Sequence, residues 1–218
     1  MDSSKILVIL LFFCCFNNIY SYFTLPGQCP DVLYYLQEDF RLADFYGKWY
    51  QSYHYSSDGQ NQNNCSSMEL MTRPSGIYLN ISRVDRGLFH RFSVGKLDIP
   101  VKVDDAARLD LIFGFKNAPR RLKTRRYPFH VLATNYKYYA TVYTCQYSPL
   151  IDKHYVYVWV LSRHHTLNEV SKELALKPLR EIGIKDSDLL KDEFDKCEPK
   201  YYEDFPAEPL TFRFPVPI

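Results

Sequence analysis

Phe45-Tyr-Gly-Lys-Trp-Tyr50 decides how this chain is read, in combination with two distant segments. They are Ala133-Thr-Asn-Tyr-Lys-Tyr-Tyr-Ala-Thr-Val-Tyr-Thr-Cys145 and Val158-Trp-Val-Leu-Ser-Arg163. Outward from these anchors, Gly47 to Arg163 is a series of short alternating segments broken by turn residues, the pattern of an all-β domain. Strands are expected near residues 48–56, 66–72, 77–84, 88–96, 108–115, 129–134, 138–146 and 154–162. Pro74-Ser-Gly76 and Asp85-Arg-Gly87 are hairpin signals, because Gly takes positive φ at little cost. Eight strands in this length suit a closed barrel, which leaves no exposed edges.

The two ends have a different character. Lys5 followed by the apolar run Ile6–Phe16, with Ser21 as a small residue for cleavage, has the layout of a secretory signal peptide over residues 1–21. Residues 22–218 then form a single domain with an irregular tail from about residue 199. The net charge of +2 implies no global electrostatic partner and no nucleic acid, and the 19 Tyr suit pleated strands with one wet and one dry face. Cys14 and Cys15 leave with the leader. Cys29, Cys65, Cys145 and Cys197 remain, an even number that predicts two disulfides in an oxidising compartment, with three pairings open. After Arg163 the period becomes helical. Thr166-Leu-Asn-Glu169 has capping-box form, Leu167, Val170 and Leu174 would make the apolar face, and Pro178 predicts a break near Lys177.

In this order, the three anchoring segments resemble the lipocalin signature, most closely its arthropod bilin-binding, Lazarillo and apolipoprotein D branch. The resemblance spans nearly the whole mature chain. It implies an eight-stranded antiparallel up-and-down barrel with one C-terminal α-helix packed on it, secreted and holding one small hydrophobic ligand. It implies Gly47, Trp49 and Arg163 as the structural signature, with the guanidinium stacked on the indole at the closed floor. It also selects the pairings Cys29–Cys145 and Cys65–Cys197. Asn135 stands where the family has Asp and still serves to cap the turn.

Trp159 resembles the family's pocket Trp, and alternation extends the expected lining from there. Tyr155, Tyr157 and Leu161 share its face. With Cys145 turned out toward Cys29, Ala140, Val142 and Thr144 turn in. A glycosylation sequon at Asn80-Ile-Ser82 asks for a solvent-facing Asn, which directs Leu79, Ile81 and Arg83 inward. Leu109, Leu111 and Phe113 form the apolar side of their strand, and Tyr53 and Phe92 complete the predicted ligand-binding set. Arg83 is the expected cation, facing a ligand carboxylate or the rim. His154 resembles a mouth-proximal histidine of bilin-binding relatives, although alternation turns it outward.

A second sequon stands at Asn64-Cys-Ser66. The basic stretch 116–126 carries Lys116, Arg120, Arg121, Lys123, Arg125 and Arg126 without an acid, an exposed loop suited at most to weak contact with a membrane surface or glycosaminoglycan. The six histidines make no metal-ligand pattern, and no resident cofactor is implied beyond a bilin as bound ligand. With all four mature cysteines assigned to disulfides and no nucleophile-elbow or nucleotide-binding motif, the chain is expected not to be an enzyme. The expected function is a secreted carrier of a lipid, fatty acid, sterol or retinoid, with a tetrapyrrole-binding pigment protein as alternative and a non-transport glycoprotein module as a third reading.

Overall fold

The computed structural model describes residues 25–57, 63–85, 89–99, 106–113, 125–195 and 197–198; the expected signal peptide and the residues from 199 lie outside them. Eight long strands follow one another antiparallel: β2 (Gly47–Ser56), β3 (Asn63–Arg73), β4 (Gly76–Asp85), β5 (Phe89–Asp98), β6 (Arg108–Phe113), β7 (Arg126–Thr134), β8 (Tyr139–Ser148) and β9 (Lys153–Ser162). Each pairs with the next, and β9 returns to β2, so the sheet closes into a barrel. Two short strands add to it: β1 (Leu25–Pro26) lies on β9, and β10 (Leu190–Lys191) lies on β2. A short helix α1 (Leu42–Phe45) leads into the barrel and α2 (Glu169–Glu181) packs on its outside.

The floor is built around Trp49, which is fully buried. Its indole N–H donates to the Phe45 carbonyl at 2.9 Å, and the Phe45 ring lies 4.9 Å away. The Arg163 guanidinium covers the indole at 3.7 Å from the ring centroid. Its N–H groups donate to the carbonyls of Lys48 (2.8 Å), Tyr136 (3.1 Å) and Asp44 (3.2 Å). Gly47 has φ +88°, a conformation that costs a residue with a Cβ, and it enters β2 directly beneath Arg163. Asn135 caps the β7–β8 turn by accepting from the N–H groups of Tyr138 and Tyr139.

Outside the barrel, Val156, Val158 and Val160 of β9 and Tyr143 of β8 form a second core with Ala175, Leu176 and Leu179 of α2. The helix differs from expectation in register. Its N-cap is Asn168, whose side chain accepts from the Ser171 N–H at 2.8 Å, rather than Thr166. This rotates the buried face to Ser171, Ala175, Leu176, Pro178 and Leu179, and leaves Val170 and Leu174 in solvent. Pro178 does not break the helix: it lies within the last turn, ahead of the Gly183 stop at φ +87°.

The disulfides are Cys29–Cys145 and Cys65–Cys197, spanning 116 and 132 residues. Loops of that length restrict the unfolded chain by about 4–5 kcal/mol each in the chain-entropy account. Replacing Arg163 by Ala is expected to lower stability by about 1–3 kcal/mol, because stacking and charged hydrogen bonds are lost together. Arg163→Lys restores only part, since an ammonium cannot lie flat on an indole. Denaturant melts of the two variants check this, and wild-type midpoints in both would contradict it.

Candidate functional site

The barrel interior is divided by depth. Its lower part is filled by Trp49, Phe45, Leu70, Leu79, Val142 and Leu161, all buried in one apolar cluster. Above this lies a cavity of about 70 Å³, walled by Met68 of β3, Ile81 of β4, Leu111 and Phe113 of β6, Tyr127, Pro128 and Phe129 of β7, Thr144, Gln146 and Ser148 of β8, and Tyr155, Tyr157 and Trp159 of β9, with Arg125 beside them. Tyr157 and Trp159 lie nearly parallel, 6.5 Å apart at 11°, giving the β9 wall a flat aromatic face.

The polar groups gather on the β7–β8 side. Arg125 donates from Nε to the Gln146 side-chain oxygen at 3.1 Å, and its guanidinium lies 5.5 Å from the Tyr127 ring centroid. Burial raises the Tyr127 phenol above its ordinary pKa, against the opposing pull of Arg125, so the neutral hydroxyl is favoured there. The Thr144 hydroxyl is buried in the wall without a hydrogen-bond partner. Among the described residues the result is an apolar chamber with Arg125 and a few neutral polar groups at one side, the composition of a site for a hydrophobic molecule with a polar substituent.

Of the ligand-binding set expected from sequence, Ile81, Leu111, Phe113, Tyr155, Tyr157 and Trp159 line this cavity. Leu79 and Val142 face inward but belong to the packed floor. Arg83 sits on β4 opposite Arg91 of β5, outside the lining, and Arg125 takes the position of the cavity's cation. Tyr53 and Phe92 point the other way. An irregularity at Ser52 shifts the β2 register, so Gln51 opposes Leu161 but Tyr53 opposes Val160. One inserted residue reverses the alternation, and Tyr53 lies outside, under the Lys172 ammonium of α2. Phe92 opposes Ser82 on the outer face, while Gly95 points inward against Leu111 and Phe113. His154 faces outward, its Nδ1 2.9 Å from the Gly27 carbonyl.

Met68, Tyr127, Phe129, Gln146 and Ser148 were not foreseen. For Tyr127 and Phe129 the signal was their alternation with Val131, obscured by Pro128, which here sits inside β7 opposite Asp110, and Gln146 and Ser148 continue the inward parity of Val142 and Thr144 on β8. Of the basic stretch, residues 116–124 lie outside the described residues, and Arg126 pairs with Asp98 and Asp110. Among the described residues, no three His, Cys, Asp or Glu side chains stand together as metal ligands. The four cysteines they contain are all in disulfides.

Comparison with known proteins agrees with this geometry. Residues 113–192 match the model of the lipocalin / cytosolic fatty-acid binding protein family. The solved structure of insecticyanin from the tobacco hornworm Manduca sexta superposes with a TM-score of 0.66 at 27% identity, over 81% of this chain and 91% of that one.

The chain is similar to the lipocalins.

Insecticyanin-A of Manduca sexta is 28% identical over 178 residues, 81% of this chain and 91% of the relative. Lobster apocrustacyanin A1, at 18% identity and a TM-score of 0.61 over 80% of this chain and 92% of that one, shares the fold. The insect likeness supports the arthropod bilin-binding side of the branch that the signature segments resemble.

The two sequons separate. Asn64 is exposed at the start of β3. Asn80 does turn away from the barrel interior, as expected, but it is only 1% exposed and its amide donates to the Met71 sulfur at 3.4 Å. A sugar on that nitrogen has no room in this fold, so the expectation of a glycan at Asn80 is withdrawn. Any N-glycan on the protein expressed through a secretory route is therefore expected to vanish in Asn64→Gln and to persist in Asn80→Gln, read as the mass removed by an amidase specific for N-glycans.

Proposed function

We propose that this chain is a lipocalin and a secreted carrier that binds one small hydrophobic molecule, of the lipid, fatty acid, sterol or retinoid kind, in the barrel cavity. The observation that carries the reading is the cavity itself: apolar and aromatic walls from six strands, above a floor sealed by Trp49 and Arg163. Burial of apolar ligand surface drives binding at roughly 25 cal/mol per Å², less the cost of ordering the ligand. Arg125, with Gln146 and Thr144 near it, supports a polar or acidic group at one end of the ligand. Two long-loop disulfides support an oxidising, extracellular setting.

A bilin is the second reading. It rests on the insecticyanin likeness, within a branch that the signature segments resemble for its bilin-binding members. A visible absorption band on protein from its natural source distinguishes a bound tetrapyrrole from a colourless lipid.

Trp159 is placed to report occupancy. In a Trp49→Phe background, a hydrophobic ligand is expected to quench or shift its fluorescence. Trp159→Ala is expected to weaken binding by about 1–3 kcal/mol with the fold intact, because the change enlarges the cavity without opening the barrel. A variant that unfolds, with no ligand-responsive emission in its parent, would make Trp159 core filling and remove the carrier reading's best-placed residue.

A further inference from the structure

The β2 irregularity that turns Tyr53 outward turns its neighbour inward. His54 opposes Trp159 across the β2–β9 ladder, so it shares the barrel-facing side with that cavity residue. His54 is 3% exposed. Its Nδ1 lies 2.7 Å from Oδ1 of Asp192, a carboxylate withdrawn completely from solvent, and the Gln51 amide donates to both Asp192 oxygens at 3.0 Å. Asp192 is held by its own backbone N–H, which donates to the Ser52 carbonyl just beyond the β10–β2 pairing. The imidazole is therefore fixed in position and rotation from one side.

The other ring nitrogen is different. Nε2 of His54 is buried and has no hydrogen-bond partner. A buried polar atom that makes no hydrogen bond has lost its water without compensation. Pinning β10 to β2 accounts for Nδ1 and Asp192 but leaves Nε2 unexplained. The ring offers an acceptor at Nε2 when neutral and a donor when charged. A hydroxyl, both donor and acceptor, satisfies either state.

We propose that His54, oriented by Asp192 and Gln51, is a ligand-binding residue that selects hydrophobic molecules bearing a hydroxyl group, which hydrogen-bonds to Nε2 at the level of Trp159. The proposal rests on the carrier reading and deepens it. His54 stands on β2, outside the residues that wall the cavity and next to Trp159, so the contact is made by a ligand that reaches past Trp159 toward β2. Asp192 and Gln51 are positioning residues.

The test uses two probes that differ only in the group concerned: a dansyl fluorophore on an undecanol chain with a terminal hydroxyl, and the same fluorophore on plain undecane. Titrated into the wild-type protein, the alcohol is expected to bind about tenfold more tightly, the worth of one hydrogen bond to a buried unpartnered group. His54→Gln, whose amide can still donate to Asp192, is expected to bring the alcohol down to the alkane's affinity and leave the alkane unchanged. Equal affinities in the wild type, or an equal loss of both probes in the variant, would overturn the proposal and leave His54 a pin for β10. If His54→Gln does not fold, nitrogen NMR of the wild-type histidines decides: the alcohol must move the His54 Nε2 resonance and the alkane must not, and an unmoved resonance overturns the proposal. Failure of both probes to bind the wild type would instead overturn the carrier reading itself.

Discussion

The Arg163 guanidinium on the Trp49 indole is the interaction on which the rest of the molecule depends. A cation drawn from water must find other partners, and burial alone pulls the Arg163 pKa down to about 10. What offsets that cost is the π face below it and carbonyls from three separate pieces of chain: Asp44 in α1, Lys48 in β2 and Tyr136 in the β7–β8 turn. One side chain at the end of β9 thus ties the entry helix, the first long strand and the middle turn together. Because this end is sealed, the cavity lies on the far side of the floor, toward the other end of the barrel.

A closed floor does not by itself hold the wall. Helix α2 covers the outer faces of β8 and β9, and the Thr141 hydroxyl donates to the Ala175 carbonyl at 2.7 Å. The chain after the helix then returns to the barrel, first as β10 against β2 and finally through Cys197 to Cys65 on β3. The inner and outer cores share the same strands: Trp159 lines the cavity while Val158 and Val160 on either side of it lie under the helix. The cavity wall and the seat of α2 are thus opposite faces of one strand.

The eight strands were legible because period-2 alternation and Gly or Pro turns are local signals, and each long strand was found to within about three residues at either end. The signature residues and disulfide pairs were legible through their resemblance to a family. Side-chain direction was legible only where strands ran without interruption. On β9 and β6 the alternation held. On β2 a single extra residue at Ser52, with no composition to mark it, hid the outward turn of Tyr53 and the inward turn of His54. On β5 the apolar residues Phe92 and Val94 lie on the outer side, and the rule that the apolar face points inward failed because the outer face at Phe92 is also buried. The same burial closes off Asn80. For α2, a two-residue displacement of the N-cap rotated the apolar face, since Asn168 and Thr166 are both competent caps and only packing chooses between them.

The central claim is that the space above the Trp49–Arg163 floor holds a hydrophobic molecule. Native mass spectrometry of the protein purified from its source tests it most directly. The account predicts a folded species carrying one additional small molecule, released on organic extraction and recovered as a compound soluble in apolar solvent. A protein that carries no extra mass, and that takes up no hydrophobic probe when challenged, would contradict it and make the barrel a filled scaffold.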